Sequence, residues 1–358
     1  KGRASRRWRG GVPSTKARMN HTFEEERAAH TAPRADLWIV GMLLDCVATL
    51  GGATGKQLLR HAALRNRRWV VPLAMLCTVG IDGVFDVSAY AFAAQSVIAP
   101  MAGLVVVWNV LLAPFTLGEV LTPTRKWGAL LVVIGTACAG FFGNHSAHDL
   151  SVDEYLRVFS RPLAVLYYVC FAVISASCVY FLKHGSHYAK GFAAGAWGGL
   201  LAGNMMTTKA AVEMIKCVWL HSGDPVGAMN AHCLSNPFYT PWPYLFIVIS
   251  LSLACSALYL LSMGLRSFEA LYLITVFEGF MVISGAVSGN LVLNEKEGHP
   301  PALMALYFCS VLLILAGLYV LSSGEHRAIV MGENEISGLA RHDGEQQRSD
   351  QEHPQEEL

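Results

Sequence analysis

The chain has 358 residues, of which 53% are hydrophobic and only 15% charged, and its formal net charge is +1. Soluble proteins hold about 45–50% apolar residues even with glycine counted, so this composition excludes a soluble multi-domain enzyme, a disordered chain and a disulfide framework. A net charge near zero says nothing about a partner; no nucleic-acid partner is expected.

Residues 1–36 carry nine basic and four acidic residues. They are expected to form a disordered N-terminal tail. Lys1 is not an initiator, and Met19 is a candidate start; a basic transit segment is the other reading of residues 1–18. The 287 residues that follow, 37–323, hold only 28 of the chain's 53 charges. They break into apolar runs of near 20 residues, enough to cross about 30 Å of hydrocarbon as helices. The fold class is therefore all-α: a polytopic membrane protein whose constant partner is the lipid bilayer. Nine spans are predicted, at 37–59, 69–93, 96–117, 126–143, 162–183, 190–216, 242–264, 268–293 and 302–323. Residues 148–160 mix apolar and charged side chains in the pattern of a short amphipathic helix at the membrane surface. The stretch 324–358, with three basic and nine acidic residues, reads as a disordered acidic C-terminal tail.

Short-loop basic residues favour one side of this topology, which places the C-terminus in the cytoplasm and the N-terminus outside. The nine cysteines lie mostly in apolar runs, and no C-x-x-C occurs. Cys217 and Cys233 flank one loop and can pair if that loop is lumenal. His184 and His187 form an H-x-x-H that reads as a polar interhelical loop. No G-x-x-x-x-G-K-[ST] is present, which argues against ATP-driven transport.

The chain contains an internal repeat. Residues 96–143 and 270–323 each run as an apolar helix ending in L-x-E, a short loop and a second apolar helix. The two L-x-E glutamates are Glu119 and Glu295. They fall on opposite sides of the predicted topology, so the halves, about 37–143 and 162–323, read as inverted structural repeats of a secondary transporter.

The segments A-Y-A-F-A (89–93), A-P (99–100), L-G-E-x-L (117–121) and G-A-L-L-V-V-I-G (128–135) resemble the drug/metabolite transporter (EamA-like) superfamily. Within it, the chain looks most like the NIPA-type magnesium transporters. Those also have nine spans and a charged stretch before the fifth helix, which DEYLRVFSRP (153–162) resembles. The resemblance covers about 37–323. It departs at the second helix, where the family has a G-E pair and an Asn. Here Asp82 stands next to the Glu position and Asp86 at the Asn position. It departs again in the seventh helix, ACSALYLLSMGL (254–265). The resemblance implies an Mg²⁺ transporter of the plasma or endosomal membrane, and a gating or structural role for Glu119 and Glu295.

Ionisable groups inside spans cost about 2.5–3.5 kcal/mol each on insertion scales and need a reason. Asp82 and Asp86 share one helix face. Two such carboxylates repel unless a cation lies between them, one is protonated, or Lys209 neutralises the pair. Asp45 can face the same cavity or lie at the interface. Glu278 is the mid-membrane candidate from the second half, for cation contact or for pairing with a lysine. Lys209 and Glu213, one turn apart, form an internal ion pair or a swinging charge. Asn109 can lend an amide oxygen or hold helices together. These oxygen donors suit a hard cation such as Mg²⁺.

The leading reading is thus a secondary transporter or facilitator, not an enzyme. It moves Mg²⁺ or another divalent cation by alternating access, driven by membrane potential. Its transport residues are Asp82, Asp86, Asp45, Glu278 and Asn109, with Asp82, Asp86 and Glu278 on the metal and no resident cofactor. The alternative cargo is a small organic solute such as a nucleotide sugar or amine, which needs aromatic and basic residues along the cavity; Trp108, Tyr90, Tyr259 and Lys209 leave it open. An intramembrane aspartyl protease using Asp45 and Asp82 lacks its G-x-G-D context, and the repeat argues against a scaffold or receptor.

Overall fold

Lipid offers no hydrogen bonds to the backbone, so apolar runs of this length satisfy their own amides as helices. The computed structural model describes residues 37–64, 67, 69–116, 122–145, 150, 152–223, 237–268, 270–295 and 300–322, and every regular element among them is helical. The two tails, Met19 and Glu119 lie outside the described residues.

Helix α1 spans Leu37–Leu64. The next span is assembled from α2 (Val70–Met75), a π-helical stretch (Leu76–Asp82) and α3 (Gly83–Ala89). A tight turn leads into α4 (Gln95–Ile98), a 3₁₀ segment (Ala99–Gly103) and α5 (Leu104–Thr116). Helix α6 (Pro123–Phe142) starts at a Thr122 cap, whose hydroxyl accepts the Arg125 amide, followed by proline in the first turn. The amphipathic stretch forms α7 (Val152–Phe159), but Tyr155 and Val158 are buried against the bundle rather than facing lipid. Then come α8 (Pro162–His184), α9 (His187–Ala202), α10 (Met206–Gly223), α11 (Trp242–Ser267), α12 (Ala270–Leu291) and α13 (Pro301–Ser322). His184 and His187 flank the two-residue α8–α9 connection, as a polar interhelical loop requires.

Among the described residues, eight helices are long and apolar enough to cross a membrane, not nine. The difference is the sixth expected span, 190–216, which is two helices broken at 203–205. Asn204 accepts the Tyr167 hydroxyl at 3.2 Å, and Tyr167 also lies 3.1 Å from the Ser284 hydroxyl. The break therefore depends on partners from α8 and α12. The second expected span, 69–93, stops at Ala89 because the chain turns at 90–94.

The span Gln95–Leu112 and helix α12 are the most enclosed, whereas Val70–Ala89 and α8 show most of their surface to the surroundings. On the exposed helices that surface is apolar, with Leu76, Val84, Leu166 and Val173 outward, as a lipid-facing rim requires. Cys217, near the end of α10, is disulfide-bonded; Cys233 lies outside the described residues.

Glycines set the closest helix contacts. On α1, a Cβ at Gly41 would strike Ala93, one at Gly52 would strike the Asp82 carboxylate, and one at Gly55 would strike Thr78. The falling partner numbers show α1 antiparallel to α2–α3. Gly191, Gly195 and Gly199 of α9, with Gly203 at its C-terminal cap, meet Phe268, Leu273, Phe277 and Met281 in turn. These numbers rise together, so α9 runs parallel to α12, pressed close along a G-x-x-x-G stripe.

Candidate functional site

In the following, the upper end of the bundle is the end at which α1 begins. Residues Asp45, Gly52 and Lys56 of α1 fall at intervals of seven and four, which places them on one helix face. That face meets the acidic face of the second span. Asp45 and Asp86 lie within hydrogen-bonding reach of each other, and Asp82 is in electrostatic reach of Asp45, Asp86, Lys56 and Glu278. Asp82 packs directly on Gly52, a position where any Cβ would collide with its carboxylate. The π-helical turn ends at Asp82 itself. Such turns add a residue to the helix and re-aim the side chains around them, and they recur at functional positions.

About 16 Å below Asp45, at 1.5 Å per residue, α1 carries Lys56. Its ammonium donates to Glu278 Oε1 of α12, and both side chains are buried. The Phe277 ring lies 5.5 Å from Lys56 Nζ. Glu278 Oε2 has no hydrogen-bond partner, although Glu278 is only 1% exposed. Beside it the Thr275 hydroxyl, one turn away on α12, is also unpartnered. Gln57 donates its side-chain amide to the Asn109 carbonyl at 2.9 Å, while the Asn109 side-chain amide is buried with neither atom paired. Trp108 donates to the Thr49 hydroxyl at 3.2 Å.

The file of ionisable groups therefore runs Asp45 and Asp86, then Asp82, then Lys56 with Glu278. Four carboxylates face one lysine. Two carboxylates at hydrogen-bonding distance need a shared proton or a cation between them. Among the described residues, no three His, Cys, Asp or Glu gather closely enough to hold a metal ion by direct bonds. Asp82, Asp86 and Glu278 share one file without forming a closed cage.

A second polar region closes the upper end. Glu295 accepts the backbone amides of Gln95 at 2.8 Å and Ser96 at 2.7 Å, at the start of α4. Asn144 donates to the Glu295 carbonyl. Gln95 is fully buried and donates to Ser288 at 2.7 Å and to the Gly285 carbonyl at 3.2 Å. Lys209 pairs with Glu213 at 3.1 Å and donates to the Ala93 carbonyl at 3.0 Å, while Tyr155 of α7 donates to the other Glu213 oxygen. Lys209 thus bonds Glu213 and the turn at Ala93.

Of the predicted residues, Asp45, Asp82, Asp86 and Glu278 are brought into one file, and Asn109 lies on α5 near Gln57. Glu295, Lys209 and Glu213 form the upper closure instead. Lys56 and Gln57 were missed by sequence reasoning. The signal for Lys56 is its spacing of eleven residues from Asp45, three helical turns, which repeats the same face. Of the four residues weighed for an organic solute, Trp108 bonds to α1 and Tyr90 is buried at the turn after α3, whereas Tyr259 is 67% exposed and Lys209 pairs with Glu213.

A family model described as Magnesium transporter NIPA matches residues 52–326, more than half of the chain. No curated protein and no solved structure matches it.

Proposed function

Because this chain belongs to the NIPA magnesium transporter family, we propose that its Mg²⁺ crosses the membrane along the polar face of α1. The ion passes from Asp45 and Asp86, past Asp82, to Glu278. The observation that carries this reading is the file itself: four carboxylates on three facing helices, with one lysine among them.

Mg²⁺ holds its waters tightly and binds protein through one or two carboxylates. A file without a closed cage suits a partly hydrated ion that touches each carboxylate briefly. Tight direct ligation by three carboxylates would slow its release. The Asn109 amide, with both atoms free, supplies a further oxygen toward the lower end. Mg²⁺ is cargo here, and the reading needs no resident cofactor.

The disulfide at Cys217 supports an oxidising environment at the upper end. Together with the basic-loop count, this supports a cytoplasmic C-terminus. The upper closure, built on Glu295 and Lys209, then acts as the outer gate. Alternating access opens it while the lower end closes. A divalent ion gains about 4.6 kcal/mol per 100 mV, twice the single-charge value, so a negative-inside potential drives entry.

The test is potential-driven Mg²⁺ uptake into liposomes containing purified protein and a Mg²⁺-sensitive dye. Wild type should take up Mg²⁺, and Asp82→Asn with Asp86→Asn should abolish uptake while leaving the elution profile of the folded protein unchanged. Uptake that survives in the double variant would remove these aspartates from the path.

A further inference from the structure

We infer that Lys56 is a tethered counter-cation that occupies the inner end of the file and makes transport selective for divalent over monovalent ions. The inference rests on the magnesium path proposed above and assigns that path a residue of opposite charge. Three observations carry it. Lys56 is buried, on the same α1 face as Asp45, and its ammonium rests on Glu278. Glu278 keeps a second oxygen, Oε2, buried and without a partner, so the lysine leaves half of the carboxylate unused. Asp82 lies in electrostatic reach of both Lys56 and Glu278, so the ammonium stands where two carboxylates act on it together.

A buried carboxylate without a counter-charge is costly, and the lysine removes that cost while the path is empty. An incoming cation has to do better than the ammonium it displaces. Na⁺ or K⁺ brings the same single charge and must also shed water, so exchange gains it nothing. Mg²⁺ brings two charges and can engage Asp82 and the free Glu278 oxygen while the ammonium swings aside. The flexible four-carbon stem of lysine permits that swing, with the Phe277 face 5.5 Å away as a second resting place.

The experiment measures Mg²⁺ and ²²Na⁺ uptake by liposomes under the same imposed potential. The proteins are wild type, Lys56→Gln, Lys56→Arg and the double variant Lys56→Gln/Glu278→Gln. Wild type should take up Mg²⁺ and exclude Na⁺. Lys56→Gln should admit Na⁺ at least about tenfold faster than wild type, and its Mg²⁺ uptake should become inhibited by Na⁺. Lys56→Arg should keep Na⁺ out, because it keeps the charge. The double variant removes both members of the pair, so neither is left without the other; it guards against misfolding of Lys56→Gln, and it should also admit Na⁺. Na⁺ exclusion unchanged in both Lys56→Gln and the double variant would overturn the inference alone. Absence of Mg²⁺ uptake by wild type would overturn the transport path and, with it, the inference.

Discussion

Among the described residues there are two buried lysine–glutamate pairs, and they are built differently. Lys209 and Glu213 sit one turn apart on α10, and every charge has further support. The ammonium also holds the Ala93 carbonyl, and Tyr155 takes the second glutamate oxygen. Lys56 and Glu278 come from residues 222 positions apart, and Glu278 Oε2 is left without a partner. A fully bonded pair fixes structure, since any change leaves something unpaired. A half-bonded pair beside further carboxylates keeps capacity for a visiting ion. Burial and charge alone do not mark a site; unused bonding capacity does.

Breaking the bonded pair should have the largest effect on stability. Lys209→Met leaves Glu213 as a buried charge and frees the turn at Ala93. Removing one partner of such a pair costs about 3–5 kcal/mol, so thermal unfolding in detergent should begin markedly lower. Mg²⁺ uptake per folded molecule should fall less than for the file residues, because Lys209 belongs to the gate and not to the ion's path. Breaking the half-bonded pair from its acidic side should do the reverse. Glu278→Gln should reduce uptake about 100-fold, equal to about 2.7 kcal/mol of barrier, with a smaller loss of thermal stability. If both variants lost stability and uptake in the same proportion, the distinction between clamp and site would fail.

The difference between these pairs was only partly legible in the sequence. Helical periodicity placed Asp82 with Asp86, and four-residue spacing placed Lys209 with Glu213. Both are local relations, which one helix fixes by itself. The Lys56–Glu278 pair joins α1 to α12, and no local pattern encodes that contact. The first span was also expected to stop at 59, which left Lys56 at a helix end, where lysines reach out to water. The helix runs on to Leu64, and Lys56 lies two turns inside it. The break at 203–205 was hidden for a related reason. Asn204 sits in an apolar run that reads as one span, and its partners Tyr167 and Ser284 come from distant helices. The membrane class, the helical fold and the family resemblance rested on composition and motif, which needed no such contacts.

The stripe on α9 sharpens the comparison from the backbone side. Gly199 lies against the Phe277 carbonyl, next to Glu278, and a Cβ there would overlap that carbonyl. Gly199→Ala should push α12 away from α9 and shift Glu278 relative to Lys56. Overpacking of this kind costs about 1–3 kcal/mol, visible as lower thermal stability. Uptake should fall more than stability does, since the displaced residue belongs to the file. Gly191→Ala, at the lower end of the same stripe, meets the flexible ring of Phe268 and should cost less in both measurements.

The smallest expected effect tests how far the closure depends on the amphipathic helix. Tyr155 is 1% exposed, and its hydroxyl donates to Glu213 from α7, outside the spans. Tyr155→Phe keeps the ring packing against Phe159, 5.8 Å away between centroids, and removes only the donor. A hydrogen bond to a charged group contributes about 1.5–3 kcal/mol, and Glu213 retains Lys209, so the loss should lie at the low end of that range. The measurement is thermal stability of Tyr155→Phe in the wild-type and Lys209→Met backgrounds. In wild type the change should be modest. In Lys209→Met, where Tyr155 is the last partner of Glu213, the same substitution should cost more. Equal costs in the two backgrounds would show that Tyr155 and Lys209 act independently, and the upper closure would then not be one connected network.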